Sequence, residues 1–340
     1  MNKKLISLAV AGAVAAPLTV QAGSLSVANQ DITLSGGLTG AYFYNSDTTR
    51  DAFTVPDALI DLSSAAKTGG IGFDVGVGTL TGNSLATSGG PLASGAGTTS
   101  VQYGWVSILP MKDLEVDAGK LATNVGYEVV PSYSDANILR GLVWNAQPAY
   151  YNGARVTYSM KDLSFYAELN KAGAGNGPGS AVGASASFGK VNGSVSYFNI
   201  VNSKSIFDII ASSKLGSTTI AANFDYQSKA KAAKTAGTDD NAYGLAIYAL
   251  VPMGDKITLP ARLEYVSDGS SGLYGLGSAG NSNSAISLTV TPTYNFSDST
   301  FVRAELALVA TDNKTAAYQD DKGVNTDSNL FLGLQGGILF

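Results

Sequence analysis

Polar and apolar residues alternate one by one in segment after segment of this chain, and that period of two constrains its fold more than any other feature. Successive side chains of a strand point to opposite faces, so strict alternation marks a half-buried strand. Leu163, Phe165, Ala167 and Leu169 share a face against Ser164, Tyr166, Glu168 and Asn170. Ile220, Ala222, Phe224 and Tyr226 oppose Ala221, Asn223, Asp225 and Gln227; Leu259, Ala261, Leu263 and Tyr265 oppose Arg262 and Glu264; Val302, Ala304, Leu306 and Leu308 oppose Arg303 and Glu305. Segments of about ten residues built this way have the length of a tilted strand crossing a bilayer. Laid end to end they predict about sixteen strands, at 31–44, 53–63, 70–80, 100–110, 113–122, 150–160, 162–170, 180–189, 191–199, 205–213, 217–227, 241–251, 256–267, 284–296, 299–309 and 328–340.

Joint lengths test that reading, because bacterial barrels turn tightly on the periplasmic side and carry longer loops outside. From a periplasmic N-terminus, the joints at 64–69, 111–112, 160–162, 189–190, 213–216, 252–256 and 297–298 are short. The intervening ones at 81–99, 123–149, 171–179, 228–240, 268–283 and 310–327 are longer and rich in Gly, Asn, Asp and Ser; only 45–52 and 201–204 are short for their set. Pro110, Pro252, Pro260 and Pro292 fall near predicted periplasmic ends, where a missing N–H is tolerated, whereas Pro56 falls inside the second predicted strand. The expected fold is all-β, a transmembrane antiparallel β-barrel, closed on itself because lipid offers an open edge no partner. A soluble sandwich of this length would ordinarily split into domains, and no linker, repeat or composition shift divides residues 23–340.

The two ends agree with that destination. Lys3 and Lys4 precede LISLAVAGAVAAPLTV and then Val20-Gln21-Ala22, the pattern of a secretory signal peptide, residues 1–22, cleaved after Ala22. Its apolar run is shorter than the roughly 20 residues of a membrane-spanning helix. The final SNLFLGLQGGILF places Leu330, Leu332, Leu334, Ile338 and Phe340 on one face. An amphipathic strand ending on an aromatic resembles the assembly signal of Gram-negative outer-membrane barrels. Expected partners are therefore outer-membrane lipids and the barrel-assembly machinery, through the C-terminal strand and Phe340.

Composition removes most chemistry. There is no Cys and no His, so disulfides, thiolate or imidazole metal sites and Ser-His-Asp catalysis are all excluded, and no enzyme, cofactor or metal is expected. Loss of the signal peptide moves the net charge from −5 to −7 by removing two lysines, and no basic block offers itself to a nucleic acid. Gly119-Lys120 lacks phosphate-loop spacing. The acidic pairs Asp239-Asp240 and Asp320-Asp321 lack the ordered spacing of a calcium loop.

What stands out is Gly119 to Gly153, which gathers Lys, Glu, Arg, Trp and Tyr between an upward strand and a downward one. AGKLATNVGYEVV, then NILRGLVWNAQP, then NGARVTYSMKDLSFYAELN resemble the OmpL-like β-barrel porin-2 family. In that family a Gly-Lys-x-x-Thr-x-x-Gly-Tyr-Glu element precedes an Asn-x-x-Arg element and a Gly-x-Arg strand. The matched positions are Gly119, Lys120, Thr123, Gly126, Tyr127, Glu128, Asn137, Arg140, Gly153 and Arg155; the rest of the chain matches only in its strand rhythm. The resemblance implies an outer-membrane pore giving passive diffusion of small hydrophilic solutes or ions.

A long third loop at 123–149 can fold into the barrel and narrow it. Tyr127, Glu128, Arg140, Arg155, Glu168, Arg262, Glu264, Arg303 and Glu305 are then candidates for the pore lining or constriction, since charged rims set ion preference through their local field. Alternatively, Glu128 and Arg140 pin the loop to the wall as an ion pair. Two other readings stand beside the open channel: a non-conducting barrel plugged by this loop, and a sugar-selective channel using Tyr127, Trp144, Tyr150 and Tyr151. Tyr42, Tyr44, Tyr103, Trp105, Tyr158, Tyr197, Tyr265 and Tyr294 are expected mostly on outward faces, as a girdle at headgroup level. A homotrimer is expected only by analogy with porins of similar size.

Overall fold

A computed structural model describes residues 23–27, 30–46, 50–86, 99–172 and 177–340; the expected signal peptide at 1–22 lies outside the described residues. The chain forms β1 (Gly23–Val27), β2 (Gln30–Asn45), β3 (Arg50–Ser64), β4 (Gly70–Leu80), β5 (Ser100–Met111) and β6 (Leu114–Ala122). After the third loop come β7 (Tyr150–Ser159), β8 (Leu163–Asn170), β9 (Gly179–Phe188), β10 (Val191–Ile200), β11 (Lys204–Leu215) and β12 (Thr218–Lys229). The last group is β13 (Asn241–Pro252), β14 (Ile257–Gly269), β15 (Asn283–Val290), β16 (Thr293–Ser297), β17 (Thr300–Gln319) and β18 (Asn325–Leu339).

Every strand pairing is antiparallel and, apart from β14–β16 and β15–β17, joins neighbours in sequence, and β18 pairs back onto β2. At that seam Gly36 N donates to Phe340 O at 2.9 Å and Phe340 N to Gly36 O at 3.2 Å, so the terminal residue itself closes the ladder. β15 and β16 are two pieces of one stave, because both lie between β14 and β17. Counting them together, and setting aside β1, which pairs only with the start of β2, gives a closed barrel of 16 strands.

The alternation places the side chains as the sequence predicts. Phe165, Leu169, Leu263, Tyr265, Leu306, Leu308, Leu332 and Leu334 are exposed on the outer wall, while Asn223, Asp225, Arg262, Glu264, Arg303 and Glu305 are buried inside. A band of exposed Leu, Ile, Val and Phe on a closed sheet is stable only against lipid.

Three local expectations are corrected, and the proline expected inside the second strand is found there. The long joint at 310–327 is mostly strand: β17 and β18 continue as a paired ribbon with a tip at 320–324, and with no lipid beside it the ribbon needs no apolar face and hides its period. The predicted 284–296 strand breaks at Thr291-Pro292, opposite Pro260, where neither proline supplies an N–H. Pro56 is accommodated by a bulge, since pairing jumps from Thr39↔Asp57 to Ala41↔Thr54. Tyr103 and Trp105 turn into the lumen, because a register shift beside Val101 reverses the faces of β5; Tyr103 donates to the inward-facing Asp61 at 2.5 Å.

Candidate functional site

The third loop, L3 (123–149), has the predicted bounds and no period, and Pro131 and Pro148 keep it from extending either flanking strand. Thr123 N donates to Ala149 O at 3.0 Å, closing a neck between β6 and β7. Beyond the neck the loop crosses the lumen and is held by the far wall. Ser132 gives its N–H (3.1 Å) and its hydroxyl to Asp57 on β3. Asn137 Nδ2 donates to Thr291 Oγ1 at 2.6 Å, and the N–H groups of Ile138 and Leu139 both point at the Glu305 carboxylate, 2.5 and 2.9 Å away. Val143 N donates to Glu264 at 3.0 Å, and Tyr127 N to Asn223 Oδ1 at 3.3 Å. Carboxylates on the wall thus satisfy loop N–H groups that have no ladder, the charge-assisted kind of bond that is roughly twice as strong as a neutral one.

Three guanidiniums complete the fastening. Arg262, on β14, donates to Glu128 of the loop, to Leu139 O at 2.9 Å and to Thr289 Oγ1 at 3.1 Å, with Glu264 3.1 Å from its Nε. Arg303, on β17, reaches Asp135 O (2.9 Å) and Ser132 O (2.7 Å) while anchored on Gln335. Arg140 folds the loop on itself, donating to the carbonyls of Val129, Val130 and Ile138, with Asp135 3.9 Å away. The expected Glu128–Arg140 pair is therefore replaced by Glu128–Arg262, because Arg140 is occupied by carbonyls of its own loop. Relative exposures of 0% for Arg262, 1% for Arg140 and 4% for Arg303 leave these groups no face toward water.

Apolar packing adds to this. Ile138, Leu139, Leu142 and Val143 are at most 1% exposed and share a cluster with Leu85, Tyr274, Leu276 and Tyr318 from three other outer segments. L3 and the start of the second loop exchange two backbone bonds: Leu85 N to Arg140 O and Arg140 N to Asn83 O, both 2.9 Å. A second cluster, Leu121, Val125, Tyr151, Phe198 and Ile206, fills the lumen beside β6, β7 and β10. Tyr127 packs against Tyr248 with centroids 4.5 Å apart and the rings tilted by 44°.

The remaining predicted residues fall on β7 and β8. Arg155 Nε donates to Glu168 at 2.9 Å, its Nη2 reaches Ala122 O at 2.7 Å, and Tyr151 OH donates to the same carboxylate at 3.0 Å. Gly119, Lys120 and Gly153 are strand residues at the neck. Gly126 is required at φ +89°, with its backbone against the Gln147 amide. Residues that sequence reasoning did not single out are Asp57, Asp135, Gln147, Thr291 and Gln335. Only their inward parity, for those on strands, could have flagged them.

Outside the barrel two loops clasp each other. Asp239, in the 230–240 loop, accepts the Ser270 N–H and hydroxyl, both at 2.8 Å, and returns its own N–H to the Ser270 hydroxyl. Those Ser270 donors hold the Asp239 carboxyl below the usual carboxylate range.

Solved structures share this architecture at low identity. OmpT, an outer membrane protein of Vibrio cholerae, superposes with a TM-score of 0.65 at 12% identity, over 94% of this chain and 100% of that one. The anion-selective porin of Comamonas acidovorans gives 0.64 at 13%, over 91% and 99%. Salmonella typhi OmpF, in complex with daunomycin, gives 0.63 at 14%, over 94% and 100%. At such identities the likeness is one of fold. No curated protein matches the chain in sequence. The family model described as "Putative beta-barrel porin-2, OmpL-like" matches residues 8–340, nearly the whole chain, and the chain therefore belongs to that family of porins, in the outer membrane of a Gram-negative bacterium.

Proposed function

We propose that this porin is a passive diffusion channel whose passage runs off-centre, between L3 and the β3–β6 wall, and favours small cations over anions. One observation carries the reading. Four carboxylates of that wall, Asp61, Asp74, Glu115 and Asp117, are partly exposed, with Lys120 at the neck a partly exposed cation over the Tyr150 ring, whereas Arg140, Arg262 and Arg303 are sealed beneath the loop. In a narrow passage the sign of the solvent-facing charges sets the local ion concentration. On this reading L3 is the constriction; Glu128, Glu264 and Glu305 with the three arginines hold it in place, and Arg155 is neutralised by Glu168. Phe340, outward-facing at the seam, is the group offered to the assembly machinery.

The test is reconstitution in planar bilayers under a salt gradient. The expected result is stepwise conductance with a reversal potential of the sign that cation flow gives; an anion-selective or silent channel from correctly folded protein overturns the proposal. The plugged, non-conducting reading is favoured by the apolar packing around Leu139, Leu142 and Val143, and predicts silence until residues 127–147 are deleted. Sugar selectivity is left with the Tyr103–Tyr150 stack, centroids 5.2 Å apart, since Tyr127 and Tyr151 are buried against protein; it predicts block of the current by a sugar.

A further inference from the structure

Four partly exposed rings, Tyr103 and Trp105 of β5, Tyr150 of β7 and Tyr166 of β8, lie on the lumen side of the wall that L3 leaves uncovered. Tyr103 stacks on Tyr150 with centroids 5.2 Å and planes 28° apart, and Trp105 follows 5.7 Å from Tyr103 at 34°. Trp105 and Tyr166 rest on the same apolar cluster. The two outer rings each carry a cation of the chain itself: Lys120 Nζ stands 5.9 Å from the Tyr150 centroid, and the Arg155 guanidinium 5.6 Å from that of Tyr166. Among the described residues no Lys or Arg covers Tyr103 or Trp105 between them.

The middle of the strip is held ready. Tyr103 lays its ring over Gly76, its register partner on β4, where a Cβ would stand 2.5 Å from it and push it away. Having crossed β4, the ring ends on Asp61 of β3, to which its hydroxyl donates at 2.5 Å. Ser35 Oγ donates to the same carboxylate at 3.4 Å. Both donors are hydroxyls, which orient the carboxylate and bring no positive charge to it. On the other side Asp74 is the register partner of Trp105 and a second lumen-facing carboxylate. Ring faces are electron-rich, so two of them set between two carboxylates attract a cation and repel an anion. Their apolar area distinguishes further, since it favours a cation with a flat organic body over a hydrated metal ion.

We propose that Tyr103, Trp105 and Asp61 form a subsite for an organic cation, an amine or quaternary ammonium carried on a flat apolar body. The positive centre stands against Asp61 and the Tyr103 face, and the body lies on Trp105. The subsite rests on the passage along the β3–β6 wall proposed above and names the class of solute that this passage holds.

The folded protein in detergent is titrated with benzyltrimethylammonium chloride by calorimetry and by tryptophan fluorescence, with benzyl alcohol, benzoate and glucose as comparison solutes. Expected is saturable binding of the cation, tighter than that of the other three, with a fluorescence change that disappears in Trp105→Phe, which keeps a ring and removes the reporter. Asp61→Asn and Tyr103→Leu each weaken binding by about tenfold, the scale of one charge or ring contact. Tyr103→Phe, which keeps the ring and leaves Asp61 its charge, does not weaken it. Heat-modifiable electrophoretic mobility reports that each variant is folded; should Tyr103→Leu not fold, Asp61→Asn carries the test. Absence of saturable binding at millimolar cation, equal binding of benzyl alcohol, benzoate or glucose, or binding unchanged in Asp61→Asn and Tyr103→Leu overturns the proposal. Binding is read without current, so the two readings fail separately. A conducting channel that leaves the cation unbound overturns the subsite and keeps the diffusion channel, and a silent one that binds it does the reverse.

Discussion

Replacing Arg262 with leucine tests whether L3 is fastened by buried charge. The substitution takes the cation from between Glu128 and Glu264, 3% and 1% exposed, and orphans the Leu139 carbonyl and Thr289 hydroxyl. Breaking a buried ion pair by removing one partner costs about 3–5 kcal/mol, because the other charge stays out of water. The barrel need not bear that cost. Its 16 strands are bonded to each other without the loop, and undocking L3 returns Glu128 to solvent. The cost therefore falls on docking, and at 1.4 kcal/mol per tenfold the undocked fraction rises by roughly two to three and a half orders of magnitude. Trypsin should then cleave readily after Arg140, which is 1% exposed in the docked loop, and planar-bilayer conductance should rise or become noisy. Arg262→Lys keeps the charge but loses the fork and should fall between. A folded Arg262→Leu barrel with L3 still protected and its conductance unchanged would refute the reasoning, and locate the strength of docking in the Leu139–Val143 packing.

Gly141→Ala should loosen the same loop by sterics alone, since a Cβ there runs into the Glu264 carboxylate; overpacking of about 1–3 kcal/mol is expected and faster tryptic cleavage is the readout. Glu305→Ala removes the acceptor of two loop N–H groups and of Thr291, and amide exchange at Ile138 and Leu139 should accelerate at least tenfold, about the effect of one lost charge-assisted bond. Asp61→Asn with Asp117→Asn should move the reversal potential toward zero if these carboxylates give the channel its cation preference. The Asp239–Ser270 clasp has the opposite pH sense to a histidine switch. Its carboxyl is depressed in the folded protein, so the clasp is fully formed above the ordinary aspartate range and is lost only as pH falls through the lowered value. Protection of the Ser270 amide, measured against its intrinsic exchange rate, should hold at neutral pH and be lost only below the ordinary aspartate range.

The parity of Arg262, Glu264, Arg303 and Glu305 could be read directly from the sequence because lipid imposes it: a barrel strand has one face that must be apolar, so its other face is marked by default. Nothing comparable acts on the inner face, where a charge can meet water or a docked loop and the sequence looks the same in both cases. That is why a lumen-facing arginine reads equally as pore lining or as fastener, and why Glu128, read as a partner of Arg140, pairs with Arg262 once the loop's path is known. Where lipid is absent the strand signal fails as well, as in the β17–β18 ribbon, and where a bulge resets the period, as beside Val101, it inverts. The family pattern runs from Gly119 to Arg155, and most of its members prove to be L3 or its neck. Gly126 turns the loop, Tyr127 packs on Tyr248, Glu128 meets Arg262, Asn137 meets Thr291, and Arg140 folds the loop upon itself. The pattern that looked like chemistry is thus the set of contacts that decides where a loop can lie inside a barrel, and in a porin that position is what leaves, or closes, the path for solute.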